Sequence, residues 1–367
     1  MTNFMSKVIV GLSGGVDSAV AALLLKQQGH AVTAVFMKNW DEDDEAGYCP
    51  AAEDLADARD IAARLDIELA TVSFSAEYWS RVFTHFLDEY AAGRTPSPDI
   101  ICNREIKFRA FLDHALAAGA DYIATGHYAR IARIPAVRLL QGLDTHKDQT
   151  YFLHTLTQAQ LGRSLFPLGN LGKPEVRQLA REAGFPNHDK KDSTGICFIG
   201  ERRFDAFLAR YLKKNPGEIR TLDGTVVGEH TGVMFYTLGQ RQGLGIGGRH
   251  GGSGEPWYVI DKDMVHNTLV VAQGADHPAL FKQGLRASRL HWISGQAPSP
   301  PFVCTARIRH QQPLQTCTLM SLTGQEGSVV FAQPQRAITP GQSVVFYSGE
   351  ECLGGGIIEA ALEEPRG

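Results

Sequence analysis

Two short stretches of this 367-residue chain combine residue types and spacings that do chemistry. The first is Ser13-Gly14-Gly15-Val16-Asp17-Ser18, set between an apolar run, Lys7 to Leu12, and a helical pattern, Asp17 to Gln28. Consecutive glycines let backbone N–H groups approach a phosphate, and a helix start adds its dipole, so the stretch reads as an anion cradle. No Lys follows the glycines and the spacing is not G-x-G-x-x-G, which excludes the Walker A and dinucleotide fingerprints. The second is Asp99-Ile-Ile-Cys102, a carboxylate three residues ahead of a thiol. A helix is expected over Asn103 to Ala118 with Asn103 as its N-cap, and a helix start favours thiolate, the nucleophilic form. Asp99 is close enough in sequence to move a proton, although its charge opposes ionisation of the thiol. Cys197 sits in a turn-like segment, 192–200, and two separated thiols are what a sulfur relay needs: one carries a persulfide, the other resolves it.

The remaining cysteines fit quieter roles. Cys49 follows five consecutive acids, Asp41 to Glu45, and reads as a passive thiol; Cys304, Cys317 and Cys352 fall in strand-like text and read as core. With six scattered cysteines and no C-x-x-C pair, neither a disulfide scaffold nor a Cys-based metal centre is expected.

These residues need elements to hold them. Strand-like Lys7 to Leu12, Ala31 to Met37, Ile67 to Phe74 and Tyr122 to Thr125 alternate with helical Asp17 to Gln28, Glu53 to Leu65 and Asn103 to Ala118, which implies a parallel sheet covered on both faces. A turn joined to a basic helix follows over 192–214, carrying Arg202, Arg203, Arg210, Lys213 and Lys214, and short strands begin near Glu218. Residues 239–254 are too glycine-rich to pack and read as a mobile loop. From Phe281 onward only strand-like runs appear, among them Phe302 to Ile308, Cys317 to Leu322, Ser328 to Phe331 and Ser343 to Tyr347, so a small β-barrel is expected.

Charge is unevenly spread. The chain's net charge is −4, yet residues 280–346 hold six Lys and Arg against Glu326 alone, a local +5 over a remainder of −9. That favours local contact with a polyanion over a uniformly basic coat. No apolar run reaches the roughly 18 residues of a membrane span, and no signal-peptide pattern opens the sequence, so a cytoplasmic protein without membrane contact is expected.

The string SGGVDS in its strand–helix setting resembles the pyrophosphate loop of the ATP pyrophosphatases, which adenylate a carbonyl oxygen so that AMP becomes its leaving group. Further strings, VFMKNW at 35–40, SPDIICNREIKF at 97–108, ATGHYAR at 124–130, KDQTYFL at 147–153, DSTGICFIGER at 192–202, YTLGQRQGLGIGG at 236–248 and ARIRHQQ at 306–312, resemble the bacterial tRNA-specific 2-thiouridylases along nearly the whole chain. The resemblance implies an α/β fold: an N-terminal PP-loop, Rossmann-like parallel sheet over 1–205, a small central α+β domain over 206–279 and a C-terminal β-barrel over 280–367. It implies ATP, with Mg²⁺, bound by Gly11, Leu12, Ser13, Gly14, Gly15, Val16, Asp17 and Ser18, with Met37 and Gly126 as further contacts; by spacing alone Met37 fits the core. Cys102 then corresponds to the nucleophile, Cys197 to the persulfide bearer, able to form a disulfide with Cys102, and Asp99 to the acid/base. Ser97, Pro98 and Asp99 match the segment that meets the target base, with Ser97 standing where the family often has Asn. His127, Lys147, Asp148, Gln149, Arg309, His310 and Gln342 match positions that contact tRNA.

The implied reaction is 2-thiolation of the wobble uridine of tRNA. Its implied partners are the anticodon stem-loop and a persulfide donor protein, such as a cysteine desulfurase or a relay protein, with the chain itself a monomer. Two rivals remain at this stage: a ligase using the same adenylate to form an amide or guanidine, which needs neither thiol, and a noncatalytic RNA-binding module.

Overall fold

The computed structural model describes residues 5–40, 50–191, 207–247 and 254–363. Cys49, Cys197, the acidic run 41–45, Arg202, Arg203 and part of the glycine-rich stretch lie outside them.

In the N-terminal part, strands β1 (Lys7–Gly11), β2 (Ala31–Lys38), β3 (Leu69–Ser73) and β4 (Tyr122–Ala124) are joined to a two-residue β7 (Ser164–Leu165) by way of an antiparallel hairpin, β5 (Ala129–Ala132) and β6 (Arg138–Gln141). Five of them form a parallel sheet in the order β3-β2-β1-β4-β7. Alternation along the strands sends Val8, Val10, Ala34 and Phe36 to one face, against α1 (Val16–Gln27), α2 (Pro50–Arg64) and the helix Lys173–Glu182. Ile9, Val35 and Met37 point to the other, against helical residues of 75–91 and 98–117 such as Tyr78, Phe83, Ile106 and Phe111. Neighbours β2 and β4 flank β1 on opposite sides, so the chain reverses its winding there, and the crevice beyond the C-terminal ends of β1 and β4 is a topological switch point.

The middle part is a four-stranded sheet, β8 (Gly217–Thr221), β9 (Val226–His230), β10 (Trp257–Asp263) and β11 (Thr268–Gln273), in the order β10-β11-β8-β9. Ile219, Val259, Leu269 and Val271 form its core with Leu244 and Ile246 of the glycine-rich stretch. Those two side chains are 5% and 3% exposed, so this part of the expected mobile loop is packed down.

Beyond it, β12 (Phe281–Trp292), β13 (Phe302–Arg307), β14 (Gln315–Thr323), β15 (Glu326–Arg336), β16 (Ser343–Ser348) and β17 (Glu351–Leu362) pair antiparallel and close into a barrel through β12 and β17. Cys304 and Cys317 face each other across β13 and β14 inside it, and Cys352 is equally buried, as expected of core thiols. The far end of β17 also pairs with β6, so the β5–β6 hairpin of the N-terminal part extends the barrel's sheet.

Two helical expectations are corrected. The helix bearing Cys102 starts at Pro98 with Ser97 as N-cap and runs to Ala117, with π geometry over Asn103–Ala110. Pro98 explains this: its fixed φ suits the first helical position, and it forces Ser97 into extended backbone. Cys102 is therefore the fifth helical residue, beyond the first turn where the dipole acts, and is 1% exposed. The basic helix expected up to residue 214 is helical among described residues only at 207–208; Arg210 lies on a turn, and Lys213 and Lys214 on non-helical chain. Phe207 and Leu208 end it by anchoring into the N-terminal core.

Candidate active site

The phosphate loop leaves β1 with Leu12 N–H bonded to the Val35 carbonyl (2.9 Å). Two serines then fold it. Ser18 Oγ accepts from Ser13 N–H (3.1 Å), donates to the Gly15 carbonyl (3.1 Å) and lies 3.1 Å from Ser13 Oγ. Gly14 has φ +77°, and a Cβ there would sit 2.2 Å from the Asp54 carbonyl oxygen, so only glycine fits. Asn187 Nδ2 holds the Gly14 carbonyl (2.8 Å), turning the peptide so that the loop's N–H side faces away. Gly15 is the N-cap of α1 and no side chain caps that helix, which leaves its first-turn N–H groups to an anion.

Gly126, just past β4, closes the other side. A Cβ on it would lie 2.8 Å from the backbone of Asp17 and Ser18, so glycine is what allows β4 to meet the start of α1. Met37 Cε lies over Gly11, 3.1 Å from where a Cβ would be, with the Phe111 ring next to it. The residues expected around ATP thus converge at the switch point.

The structure adds one residue that the sequence reading did not single out. Lys173 Nζ donates to both carboxylate oxygens of Asp17 (2.8 and 2.9 Å), and Tyr128 Oη donates to the same carboxylate (2.8 Å). Lys173 is 8% exposed, so a buried positive charge stands beside the anion cradle. The available signal was Gly172-Lys173-Pro174-Glu175, a helix start with Pro near its head and Glu175 reaching back to the Gly172 N–H (2.7 Å).

The helix over 98–117 connects this cradle to the second cluster. Its C-terminal end returns to the start of β1, where Asp121 N–H meets the Lys7 carbonyl (2.9 Å), so the helix runs antiparallel to the strands. Phe111 touches the level of Gly11, and Cys102 lies nine residues toward the helix's N-terminus, beyond the π segment. Asp99 and Cys102, spaced i and i+3, share one face above the sheet edge.

Of the positions matched to tRNA contact, Asp148, Arg309, His310 and Gln342 lie where the N-terminal part meets the barrel. His310 bonds through Nε2 to the Asp148 carbonyl (2.9 Å), and its ring lies 4.3 Å from Phe152. Burial lowers the His310 pKa, opposed by the Asp148 carbonyl and by the Asp148 and Asp99 carboxylates, which places His310 within the field of Asp99. Gln149 Oε1 accepts from Tyr128 N–H (2.9 Å). Arg309 donates to the carbonyls of Leu238 (3.0 Å) and Ala337 (3.2 Å), and Gln342 Nε2 to the Thr95 carbonyl (2.7 Å). His127 is buried, bonded to Thr125 Oγ1 (2.7 Å), and held neutral by burial and by the charge of Lys107. Asp148 departs from the expectation. Its side chain is fully buried, paired with Arg307 (2.9 Å) and bonded to Gly142 N–H and Thr150, so its carboxylate is spent inside the protein.

A glycine-built anion cradle at the switch point of a parallel sheet, with a thiol-bearing helix rising past it, defines an α/β chain of the PP-loop ATP-pyrophosphatase type. Family models match it in three successive blocks: a tRNA methyl transferase HUP domain over residues 6–201, a tRNA methyl transferase PRC-barrel domain over 205–273, and an aminomethyltransferase beta-barrel domain over 282–358. The tRNA-specific 2-thiouridylase MnmA of Methylococcus capsulatus is 61% identical over 355 residues, 96% of each chain. The protein of the same name from Escherichia coli O1:K1 / APEC is 56% identical over the full length of both. The chain belongs to the tRNA-specific 2-thiouridylase family. Among solved structures, the U34-tRNA thiolase NcsA of Methanococcus maripaludis overlaps 53% of this chain and 61% of its own, at 18% identity and a TM-score of 0.34.

Proposed function

We propose that this chain is the sulfurtransferase that replaces O2 of the wobble uridine of tRNA by sulfur, with ATP as co-substrate and AMP and pyrophosphate as products. The observation that carries this reading is the alignment of the loop 11–18 with the Asp99–Cys102 helix end along one edge of one sheet. Adenylation makes O2 a leaving group, a task for a loop that grips phosphates. A uridine splayed out of an anticodon loop, where extrusion costs little, fills the space between that loop and the thiol.

Each residue then has a task. Gly11 to Ser18 bind the phosphates, Met37 and Gly126 flank the adenine, and Lys173 holds the Asp17 carboxylate in place at the head of α1. Asp99 moves the proton at the base, with Ser97 and Pro98 beside it. Cys197 carries the persulfide sulfur to C2, and Cys102 resolves it, the two closing as a disulfide after delivery. The loop offers serine hydroxyls, oxygen donors of the kind Mg²⁺ takes, while the Asp17 carboxylate is held by Lys173 and Tyr128, and among the described residues no group of three or more His, Cys, Asp or Glu forms a metal site. The ion would therefore arrive with the triphosphate. Lys147, Gln149, Arg309, His310 and Gln342 border the seam where tRNA enters, and the excess of positive charge over residues 280–346 suits its backbone.

Cys102 is 1% exposed, so it meets substrate only after the seam or the π segment behind it rearranges. Chemistry that waits for RNA fits this design. A persulfide donor protein, a monomeric state and a cytoplasmic location complete the proposal; no described helix is long and apolar enough to cross a membrane. With domain limits of 1–205, 206–279 and 280–367, the adenylating centre belongs to the first, and the named tRNA contacts are shared between the first and the third.

The test is nucleoside mass spectrometry of tRNA incubated with the chain, ATP and a persulfide source. Wild type is expected to yield 2-thiouridine and AMP, and Cys102→Ala and Cys197→Ala none of the former. Retained thiolation in either variant removes the relay, whereas a wild-type chain that releases AMP and forms no 2-thiouridine leaves the amide- or guanidine-forming ligase.

A further inference from the structure

The reactive helix is entered through Gly93 to Ser97, and one residue of that segment is held from both other domains at once. Thr95 is 8% exposed. Its N–H donates to the Pro340 carbonyl (2.9 Å), and its carbonyl accepts from Gln342 Nε2 (2.7 Å), both from the turn before β16 of the barrel. Gly341 in that turn has φ +91°, and a Cβ there would come within 2.7 Å of Thr95 N, so turn and segment are in direct contact. On its other side, Thr95 Oγ1 lies 3.3 Å from Thr237 Oγ1 of the middle domain.

Thr237 is not an arbitrary neighbour. Its N–H is held by Gln240 Oε1 (2.9 Å), and Gly239 N–H by the Val259 carbonyl (2.7 Å), so it stands at the base of the glycine-rich stretch that begins at Gly239. Downstream of Thr95, Ser97 is the N-cap and Asp99 lies in the first turn, only four residues away. Displacement at Thr237 therefore reaches the acid/base through one hydroxyl contact and one turn of chain. Glu89 clamps Arg94 through two hydrogen bonds, which keeps the upstream side of the segment still and directs that displacement into the helix start.

We propose that Thr95 is a positioning residue: its hydroxyl couples Thr237, held by Gln240 in the middle domain, to the start of the helix that carries Asp99 and Cys102. This rests on the function proposed above.

The experiment uses the full chain, an in vitro transcribed tRNA with uridine at the wobble position, ATP and a persulfide source. Single-turnover thiolation rates and tRNA Kd are measured for Thr95→Val, Thr95→Ser, Thr237→Val and the double variant Thr95→Val/Thr237→Val. Removing one long hydroxyl contact, 3.3 Å between oxygens, is worth about two- to fivefold. Each valine variant should lose that much in rate with Kd unchanged within about twofold, the serine variant should recover it, and the double variant should be no slower than either single. A wild-type rate in Thr95→Val, multiplied losses in the double variant, or a loss confined to Kd each overturns the proposal. If Thr95→Val does not fold cooperatively, Thr237→Val, outside the reactive segment, decides by the same criteria. Cys102→Ala is run alongside: if it still thiolates, the site reading fails, whereas if it is dead and Thr95→Val is unaffected, only the coupling fails.

Discussion

The buried pair of Asp148 and Arg307 should dominate the stability of the seam. Asp148 is fully buried, and Arg307 Nη1 meets it at 2.9 Å with its side chain 9% exposed and its guanidinium over the Tyr347 ring. Arg307→Met removes the only cationic partner the carboxylate has in the described seam and leaves an uncompensated charge in the interior, a change that costs about 3–5 kcal/mol. Gly142 N–H, Gln141 Nε2 and Thr150 Oγ1 still donate to Asp148, at 3.2, 3.0 and 2.9 Å, so the loss should fall near the lower end, about 3 kcal/mol. Because the pair joins the N-terminal part to β13, the loss should register in the cooperative unit containing both. The assay is urea unfolding followed by two probes, with Cm compared at constant m.

The control is the double replacement Arg307→Met/Asp148→Leu. Removing both charges should recover part of the loss: the stranded charge is gone, although Gly142 N–H, Gln141 Nε2 and Thr150 Oγ1 lose their acceptor. A cost below about 1 kcal/mol for Arg307→Met, or a double variant as damaged as the two singles added together, would refute the assignment of the penalty to a stranded charge.

Two further outcomes follow from the site and its surroundings. Gly126→Ala should lower ATP-dependent AMP release by more than about tenfold through displaced loop backbone, because its Cβ would sit 2.8 Å from Asp17 and Ser18, while the melting temperature stays within a few degrees; normal AMP release would show that Gly126 does not set the loop. Stability should fall with acid: burial lowers the His154 pKa to about 4 from 6.5, so between those values the unfolded chain takes up a proton that the folded chain refuses. The loss from His154 alone should approach about 3 kcal/mol by pH 4, flatten below that, and be reduced in His154→Gln, all readable from urea midpoints between pH 7 and 4.

The N-terminal sheet was legible because its signals are local. Val8 to Leu12 and Ala34 to Met37 are uninterrupted apolar runs, as strands covered on both faces must be, and Ser13 to Ser18 carries its own turn chemistry. The start of the reactive helix was misplaced because Asn103 is a good capping residue type, while the stronger signal, Pro98 after an extended Ser97, lay five residues earlier. Lys173 was overlooked because it is 156 residues from Asp17, and no periodicity encodes a pairing at that distance. The β5–β6 hairpin failed to register as part of a barrel for the same reason, since its partner is β17.

Those long-range pairings share a direction, and that bears on how the site can work. Glu351 and Cys352 of β17 pair with Leu140 and Leu139, Arg307 reaches Asp148, His310 reaches the Asp148 carbonyl, and Gln342 reaches Thr95. Each ties the barrel to a segment flanking the reactive helix or the turn after β6, while the phosphate loop is built wholly within the N-terminal part. Nucleotide binding is thus a property of one domain, whereas placement of Asp99 and Cys102 depends on contacts from two others. An adenylating centre arranged this way can load ATP in isolation, yet brings its thiol and carboxylate into line only through surfaces that a large substrate must also touch.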